Sequence, residues 1–184
     1  MNIALFGGSF DPPHIGHESI VYKVLEQISI KKLVIVPAFL NPFKSKSHFS
    51  PHDRLKLIQE LFKDEKKVEI SDFEVLQNRS TSSIETVLHL KQKYKSKNIY
   101  LIIGADNIKS LHLWKDFDKL NQLVTFIVIS RDGYEEKNDI IQLINIKLDI
   151  NISSTTLRED LDLKYIPNKI KQKVRELWKK EFKE

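Results

Sequence analysis

Five short apolar runs recur along the chain, separated by segments in which apolar residues recur at helical spacing. The runs are short and rich in β-branched residues, which is typical of parallel strands covered by helices on both faces. They span residues 3–6, 33–36, 68–70, 100–103 and 124–129. Helices are predicted to begin near Gly16, Pro51, Ser83, Ala105, Ser154 and Pro167. This alternation predicts an α/β fold, with one open, mainly parallel sheet flanked by helices.

Length and composition exclude several classes of protein. A chain of 184 residues is most simply one domain, so we predict a single domain over residues 1–184. The absence of cysteine excludes disulfides, zinc–thiolate sites and iron–sulfur clusters. No signal peptide is evident, and the apolar runs are too short to span a bilayer. We therefore expect a cytoplasmic protein without a membrane partner.

The net charge of +5 is concentrated near the C-terminus, where residues 164–184 hold eight Lys or Arg and three Glu. A basic tail could contact nucleic acid. However, apolar residues recur there at helical spacing, at Ile170, Val174, Leu177, Trp178 and Phe182. This pattern predicts an amphipathic helix with its lysines in solvent, so no nucleic-acid partner is expected. Homo-oligomerisation is left open.

Residues 7–17 carry the most informative motif and read G-G-S-F-D-P-P-H-I-G-H, directly after the first predicted strand. Glycines allow backbone N–H groups to approach a ligand closely. The N-terminus of the following helix favours an anion such as phosphate, and His14 and His17 add donors. The motif lacks the Gly-Lys-Ser/Thr ending of a Walker A loop and the G-x-G-x-x-G of a dinucleotide fingerprint.

Two other interpretations of these histidines remain open at this point. They could simply pack against, or cap, the first helical turn. Asp11, His14 and His17 could alternatively bind a metal, but no convincing further ligands are present, so no resident metal site is predicted. The complete eleven-residue string favours phosphate chemistry.

A second motif, N-I-S-S-T-T-L-R, occupies residues 151–158. Hydroxyls at a helix start can cap the helix and donate to phosphate oxygens. The guanidinium of an arginine one turn later can donate two further, charge-assisted hydrogen bonds. Alone, the motif would more simply be a cap followed by a surface arginine. We place it in a C-terminal helical segment of the same domain, at about 153–184.

Polar residues also follow several of the predicted strands. Open α/β sheets bind ligands beyond the carboxyl ends of their strands. The residues at these ends are His14 and His17 after the first strand, Asn41 and Lys44 after the second, Gly104, Asp106 and Trp114 after the fourth, and Arg131 after the fifth. The sequence therefore predicts a binding site at this edge of the sheet.

Taken together, these motifs resemble those of the bacterial nicotinate-nucleotide adenylyltransferases, a branch of the nucleotidyltransferases with a Rossmann-like sheet. The resemblance covers nearly the whole chain. It includes the segments at residues 41–44, 72–74, 81–86, 104–115, 131–134 and 165–167. The chain departs from the family pattern at Ser82, where a tyrosine is usual, at Asp132, where a proline is usual, and within residues 41–44.

The resemblance implies a reaction in NAD biosynthesis, in which AMP is transferred from ATP to nicotinate mononucleotide. The products are deamido-NAD and pyrophosphate, and Mg²⁺ arrives with ATP. Catalytic roles are implied for His14, His17 and Arg158. ATP binding is implied for Gly7, Gly8, Ser9, Phe10, His17, Gly104, Asp106, Ile152, Ser153, Ser154 and Arg158. Mononucleotide binding is implied for Lys44, Ser82, Ser83, Thr86, Trp114 and Arg131.

Three alternatives remain from the sequence. The chain could be a related adenylyltransferase that uses nicotinamide mononucleotide or phosphopantetheine. It could instead be a non-catalytic nucleotide-binding module of the same fold. Nucleic-acid binding through the basic tail would show strong salt dependence.

Overall fold

The structure, a computed structural model, describes residues 1–43, 45–130, 140–148, 157 and 162–181. Within these residues six strands form one sheet in the order β3-β2-β1-β4-β5-β6, and each neighbouring pair is parallel. The strands are β1 (Asn2–Gly8), β2 (Lys32–Pro37), β3 (Val68–Ile70), β4 (Asn98–Gly104), β5 (Val124–Ser130) and β6 (Leu143–Lys147). The predicted open α/β sheet is confirmed.

Helices connect the strands and cover the sheet. They are α1 (Ile15–Gln27), α2 (Pro51–Phe62), α3 (Phe73–Leu76), α4 (Ser83–Tyr94), α5 (Phe117–Leu123) and α6 (Lys171–Glu181), with 3₁₀ helices at Ala105–Leu113 and Leu163–Tyr165. Two of the predicted helix starts need adjustment. The segment at Ala105 is a 3₁₀ helix, and a turn from Pro167 to Ile170 delays the start of α6. The start predicted near Ser154 lies outside the described residues.

Successive residues of each strand face opposite sides of the sheet, and this alternation creates two cores. On β1, Ala4 and Phe6 pack with residues of α1, α2 and α6. Ile3 and Leu5 pack on the other side with residues of α4 and α5. Both faces of the strand are therefore covered, which explains the continuous apolar run in the sequence.

The helix starts predicted near Pro51 and Ser83 are confirmed, and both have side-chain caps. The Ser50 side chain accepts a hydrogen bond from the Asp53 backbone N–H, and Pro51 occupies the first turn of α2. At α4, Ser82 is the N-cap residue and forms a capping box with Glu85. These contacts satisfy backbone donors that have no partner inside a helix.

The C-terminal segment packs as its spacing predicts. Ile170 and Val174 are fully buried, and the Trp178 ring meets the Phe49 ring edge-on at 6.2 Å. Lys179 and Lys180 are exposed, while Phe182 lies outside the described residues. No helix of the described chain has the length and hydropathy needed to cross a bilayer.

The order of the sheet fixes where a ligand can bind. β1 lies between β2 and β4. The chain forms β2 and β3 on one side of β1, and then crosses back to form β4, β5 and β6 on the other side. At such a switch point the loops after neighbouring strands diverge, and a crevice opens beyond the carboxyl ends. Here those ends are Gly8 and Gly104.

Candidate active site

The turn after β1 exposes the backbone because of its two glycines. A Cβ at Gly7 would meet no atom within 4 Å, so the space beside this residue is open. A Cβ at Gly8 would lie 3.1 Å from the Phe10 ring. Gly8 therefore lets that ring fold back against the turn. Phe10 itself has a φ of 49°, a left-handed conformation that few non-glycine residues adopt.

His14 and His17 form an unusual capping box at the start of α1. The Nδ1 atom of His14 accepts a hydrogen bond from the Gly16 N–H at 3.2 Å. The Nδ1 atom of His17 accepts one from the His14 N–H, also at 3.2 Å. The two rings are stacked with their centroids 3.7 Å apart. The capping interpretation of the histidines is thus correct as far as their Nδ1 atoms are concerned.

These hydrogen bonds also determine what the other ring nitrogens can do. A neutral imidazole carries one proton, and an Nδ1 that accepts a backbone N–H leaves that proton on Nε2. Burial lowers the pKa of His17 well below its usual value, and the neighbouring His14 lowers it further. His17 is therefore neutral near pH 7, with Nε2 as its hydrogen-bond donor. Capping and anion binding are compatible, because they use opposite nitrogens.

The Phe10 ring packs against the histidine pair through an edge-on contact with His17. Its side chain is 1% exposed and meets the rings of His17 and Phe6 edge-on, at 4.9 Å and 5.3 Å. The prediction of Phe10 as an ATP-binding residue needs refinement, because its side chain belongs to the core. Phe10 can therefore contact a ligand only through its backbone, and its side chain can affect ligand binding only through its contact with His17.

Asp11 connects the turn after β1 to the segment that precedes α2. Asp11 is buried and accepts hydrogen bonds from the backbone N–H groups of His48 and Phe49, at 2.8 and 2.9 Å. This carboxylate therefore anchors the segment before α2. Among the described residues, no group of three or more His, Asp and Glu side chains could hold a metal ion.

Arg54 was not predicted from the sequence, although it is 1% exposed. Its guanidinium donates to the carbonyl oxygens of Ser9, Ala38, Phe39 and Phe49 over distances of 2.6–3.1 Å. Burial lowers the pKa of Arg54, and the charge of Asp11 opposes this shift. The side chain thus ties together the segments that follow β1 and β2. An arginine among the apolar positions of α2 was the only sequence signal.

A cavity of about 320 Å³ opens between the carboxyl ends of β1 and β4. This volume lies within the range of small-molecule sites. Among the described residues, the lining includes Gly7 and Gly8 from β1, Gly104 from β4, Glu74 from α3, Ser82 and Ser83 from the start of α4, and Trp114 after the 3₁₀ helix. Phe43 and Leu113, also in the lining, are largely exposed at 61% and 64%.

The described residues that are predicted to bind the mononucleotide fall into two groups, one that lines this cavity and one that does not. Ser82, Ser83 and Trp114 line it together. Thr86 does not, because it is buried one turn further into α4, where its hydroxyl lies 2.6 Å from a carboxylate oxygen of Glu74. The Trp114 indole N–H has no hydrogen-bond partner within the described structure.

Glu74 is the second buried polar residue that sequence reasoning missed as a site residue. It is 8% exposed, and burial raises its pKa to about 7. The segment at residues 72–74 is acidic, but its sequence does not distinguish a buried carboxyl group from an exposed one. Only packing against α4 makes this residue part of the cavity.

At the end of β4, the absence of a side chain at Gly104 allows the Asp106 carboxylate to approach closely. A Cβ at position 104 would overlap the Asp106 carboxylate. Asn107 donates to the Gly104 carbonyl and to the Asp106 carboxylate, each at 3.3 Å. The two residues predicted to receive the ribose of ATP are therefore adjacent in space, and Gly104 lines the cavity.

Several predicted site residues lie outside the described part of the chain. They are Lys44, Arg131, Ile152, Ser153, Ser154 and Arg158. Ser9 is described, is partly buried, and holds the Arg54 guanidinium through its carbonyl oxygen. The two histidines start α1 directly after the turn whose glycines line the cavity.

Comparison with known proteins identifies the family. A sequence model of the cytidylyltransferase-like family matches residues 5–160. A protein of Sulfurimonas denitrificans named "Probable nicotinate-nucleotide adenylyltransferase" is 49% identical over 97% of this chain and 96% of its own. A protein of Aliarcobacter butzleri with the same name is 44% identical over 95% of both chains. This chain belongs to the nicotinate-nucleotide adenylyltransferase family. The resemblance drawn from its motifs is thereby confirmed.

A solved structure of this family supports the fold independently. The nicotinic acid mononucleotide adenylyltransferase of Plasmodium falciparum, complexed with NaAD, superposes with a TM-score of 0.77. The match covers 95% of each chain at 23% sequence identity. The two proteins therefore share this fold at low sequence identity.

Proposed function

We propose that this protein transfers AMP from ATP to nicotinate mononucleotide, forming deamido-NAD and pyrophosphate. The observation that carries this proposal is the histidine pair at the start of α1. Both rings use Nδ1 for the helix cap, which leaves Nε2 of each as a donor. This pair directly follows the turn whose glycines line the cavity between β1 and β4.

In the proposed reaction, a phosphate oxygen of the mononucleotide attacks the α-phosphorus of ATP in line. The bond from that phosphorus to the bridging oxygen of the β-phosphate breaks, and pyrophosphate leaves with the electron pair. Such transfers need positioning and charge stabilisation more than covalent help. His14 and His17 would donate from Nε2 to the α-phosphate and to the oxygen on which charge develops.

Magnesium enters this scheme as part of the substrate, bound to the phosphates of ATP. Mg²⁺ in nucleotide-dependent enzymes typically keeps several waters and binds through few carboxylates and the substrate phosphates. The described residues fit this mode, since both Asp11 oxygens already accept backbone N–H groups. The protein would therefore hold the ion through the nucleotide.

The cavity is the proposed site of the mononucleotide. The backbone N–H groups at the start of α4, near Ser83, would face the nicotinate carboxylate, because a helix N-terminus favours an anion. Trp114 would stack on the pyridine ring. The Trp114 ring packs against the core of the sheet and lines the cavity, and its indole N–H has no hydrogen-bond partner among the described residues.

The remaining assignments rest on the family resemblance. Ser153, Ser154 and Arg158 would hold the outer phosphates of ATP, with Ile152 beside them, and Gly104 and Asp106 would receive the ribose. Lys44 and Arg131 would contribute to the mononucleotide site. We further propose a single domain over residues 1–184 that acts in the cytoplasm.

A pyrophosphate-release assay tests the proposal. ATP and Mg²⁺ are combined separately with nicotinate mononucleotide, nicotinamide mononucleotide and phosphopantetheine. We expect the highest kcat/KM with nicotinate mononucleotide. Faster turnover of either other acceptor would favour a related adenylyltransferase. Binding of ATP without pyrophosphate release from any acceptor would favour a non-catalytic module.

A further inference from the structure

Glu74 combines three properties that the proposed reaction does not use. Glu74 lines the cavity together with Ser82 and Ser83, which begin α4. It is 8% exposed, so little water reaches it. Its described hydrogen-bond partner is the Thr86 hydroxyl, on the first turns of the same helix. A titratable group therefore lies in the wall where an anionic substrate group would bind.

The surroundings of Glu74 favour its neutral form. Burial raises its pKa to about 7, and the negative charge of Glu85 acts in the same direction, while the hydrogen bond from Thr86 opposes the shift. Hydrogen bonds from Arg79, at 2.6 Å, and from Ser82 lower the pKa of Glu85 to about 2, so Glu85 is ionised at neutral pH. Lys115 lies 3.6 Å from the same carboxyl group. The other titratable groups nearby are Asp72, which precedes α3, and His89 of α4, which stacks on Phe73 at 3.9 Å.

We propose that Glu74 is a selectivity residue for the acid mononucleotide: when protonated, its carboxyl group donates a hydrogen bond to a nicotinate carboxylate in the same cavity, and when ionised, it repels that carboxylate. This inference rests on the proposed function and concerns the same cavity. Two like charges in a site shielded from water oppose each other strongly. The neutral nicotinamide group carries no net charge, so ionisation of Glu74 does not repel it.

The test measures the ratio of kcat/KM for nicotinate mononucleotide to that for nicotinamide mononucleotide between pH 6 and pH 8. Taking a ratio cancels the titration of the substrate phosphate and of the two histidines, since both substrates share them. A single group that ionises near pH 7 predicts a fall of about tenfold over this range in the wild type. In Glu74→Gln the ratio should vary by less than about twofold, because the amide stays neutral.

Two further variants sharpen the measurement. Thr86→Val removes the hydrogen bond that lowers the pKa of Glu74, so the fall in the ratio should move to higher pH. Glu176→Gln changes an exposed glutamate of α6 and should reproduce the wild-type profile. A ratio independent of pH in the wild type, or an equal fall in Glu74→Gln, would overturn the proposal.

Calorimetry on the wild type alone provides a measurement that does not depend on any variant folding. Binding of each mononucleotide at pH 7.5 is measured in two buffers with different ionisation enthalpies. The protein should take up a larger fraction of a proton when it binds nicotinate mononucleotide than when it binds nicotinamide mononucleotide. Equal proton uptake with the two ligands would contradict the role of Glu74. Failure of the proposed function looks different, since no pyrophosphate would then be released with either mononucleotide.

Discussion

The guanidinium of Arg54 donates a hydrogen bond to the carbonyl oxygen of Ser9 over 2.6 Å. This contact joins α2 to the turn that follows β1, across 45 residues of sequence. The same side chain donates to Ala38 and Phe39, which follow β2. Asp11 adds a second connection, to the backbone of Phe49. The segment that presents the histidine pair is therefore held by buried polar contacts as well as by apolar packing.

Replacing Arg54 with methionine should destabilise the fold and impair catalysis. Four carbonyl oxygens would lose a charged donor in a buried site, with an expected cost of about 3–5 kcal/mol in the free energy of unfolding. Misplacement of the turn after β1 should also lower kcat by about 10²-fold below the unfolding temperature. Urea denaturation and steady-state kinetics measure these effects. Arg175→Met, on an exposed position of α6, is the matched control and should stay within about 0.5 kcal/mol. Similar stability of both variants would refute the anchoring role.

Replacing His14 with asparagine should separate capping from catalysis. Asparagine is a favoured N-cap residue, and its side-chain oxygen can accept the Gly16 N–H as Nδ1 now does. Its short amide cannot place a donor where Nε2 lies. We expect the free energy of unfolding to change by less than about 1 kcal/mol, while kcat falls by roughly 10²- to 10⁴-fold. His14→Ala should lose both properties. Near-normal turnover by the asparagine variant would mean that the histidine serves only as a cap.

The wild type should prefer the acid mononucleotide over the amide by about ten- to a hundredfold below pH 7. Backbone donors at the start of α4 would face the NH₂ of the amide without a partner, at a cost of about 1–3 kcal/mol per group. Trp114→Ala should raise KM for both substrates by a similar factor and keep the preference, because stacking is common to both rings. Comparison of kcat/KM values measures this. Equal use of acid and amide by the wild type would contradict the proposed carboxylate site.

Glu74→Gln should stabilise the protein at neutral and alkaline pH. A carboxyl group whose pKa rises from 4.5 to about 7 on folding binds more protons in the native state than in the unfolded state. Stability is therefore lost as pH rises from about 4.5 to 7, by about 3 kcal/mol at most. The difference in free energy of unfolding between variant and wild type should grow over this interval and level off above pH 7. A difference that does not change with pH would show that the carboxyl group is not shifted.

The features predicted correctly from the sequence are those set by local pattern. Short β-branched runs predicted five strands, and the segments with helical spacing predicted helices that begin near Pro51 and Ser83, where α2 and α4 do begin. The strand that was missed, β6, lies at the edge of the sheet, where Leu143 and Lys147 are exposed and Ile146 is buried. Its sequence therefore lacks the continuous apolar run of the central strands. The short helices α3 and α5 depend on tertiary contacts and carry weak signals of their own.

The candidate site divides in the same way. His14, His17 and the glycines form one continuous string, so their proximity follows from sequence alone. Arg54 and Glu74 belong to the site only because distant segments pack against them, and long-range contacts of this kind are not encoded in local spacing. Thr86 shows the converse, since a residue at a plausible sequence position is turned into the core by the helix that carries it.

The most direct test of the whole account follows the α-phosphorus of ATP. The purified protein is mixed with Mg²⁺, nicotinate mononucleotide and ATP labelled at the α-phosphorus, and the products are separated by chromatography. The account predicts that the label appears in deamido-NAD, with one unlabelled pyrophosphate released for each labelled dinucleotide. Label found in ADP, or label that stays in ATP at every enzyme concentration, would contradict adenylyl transfer to this substrate.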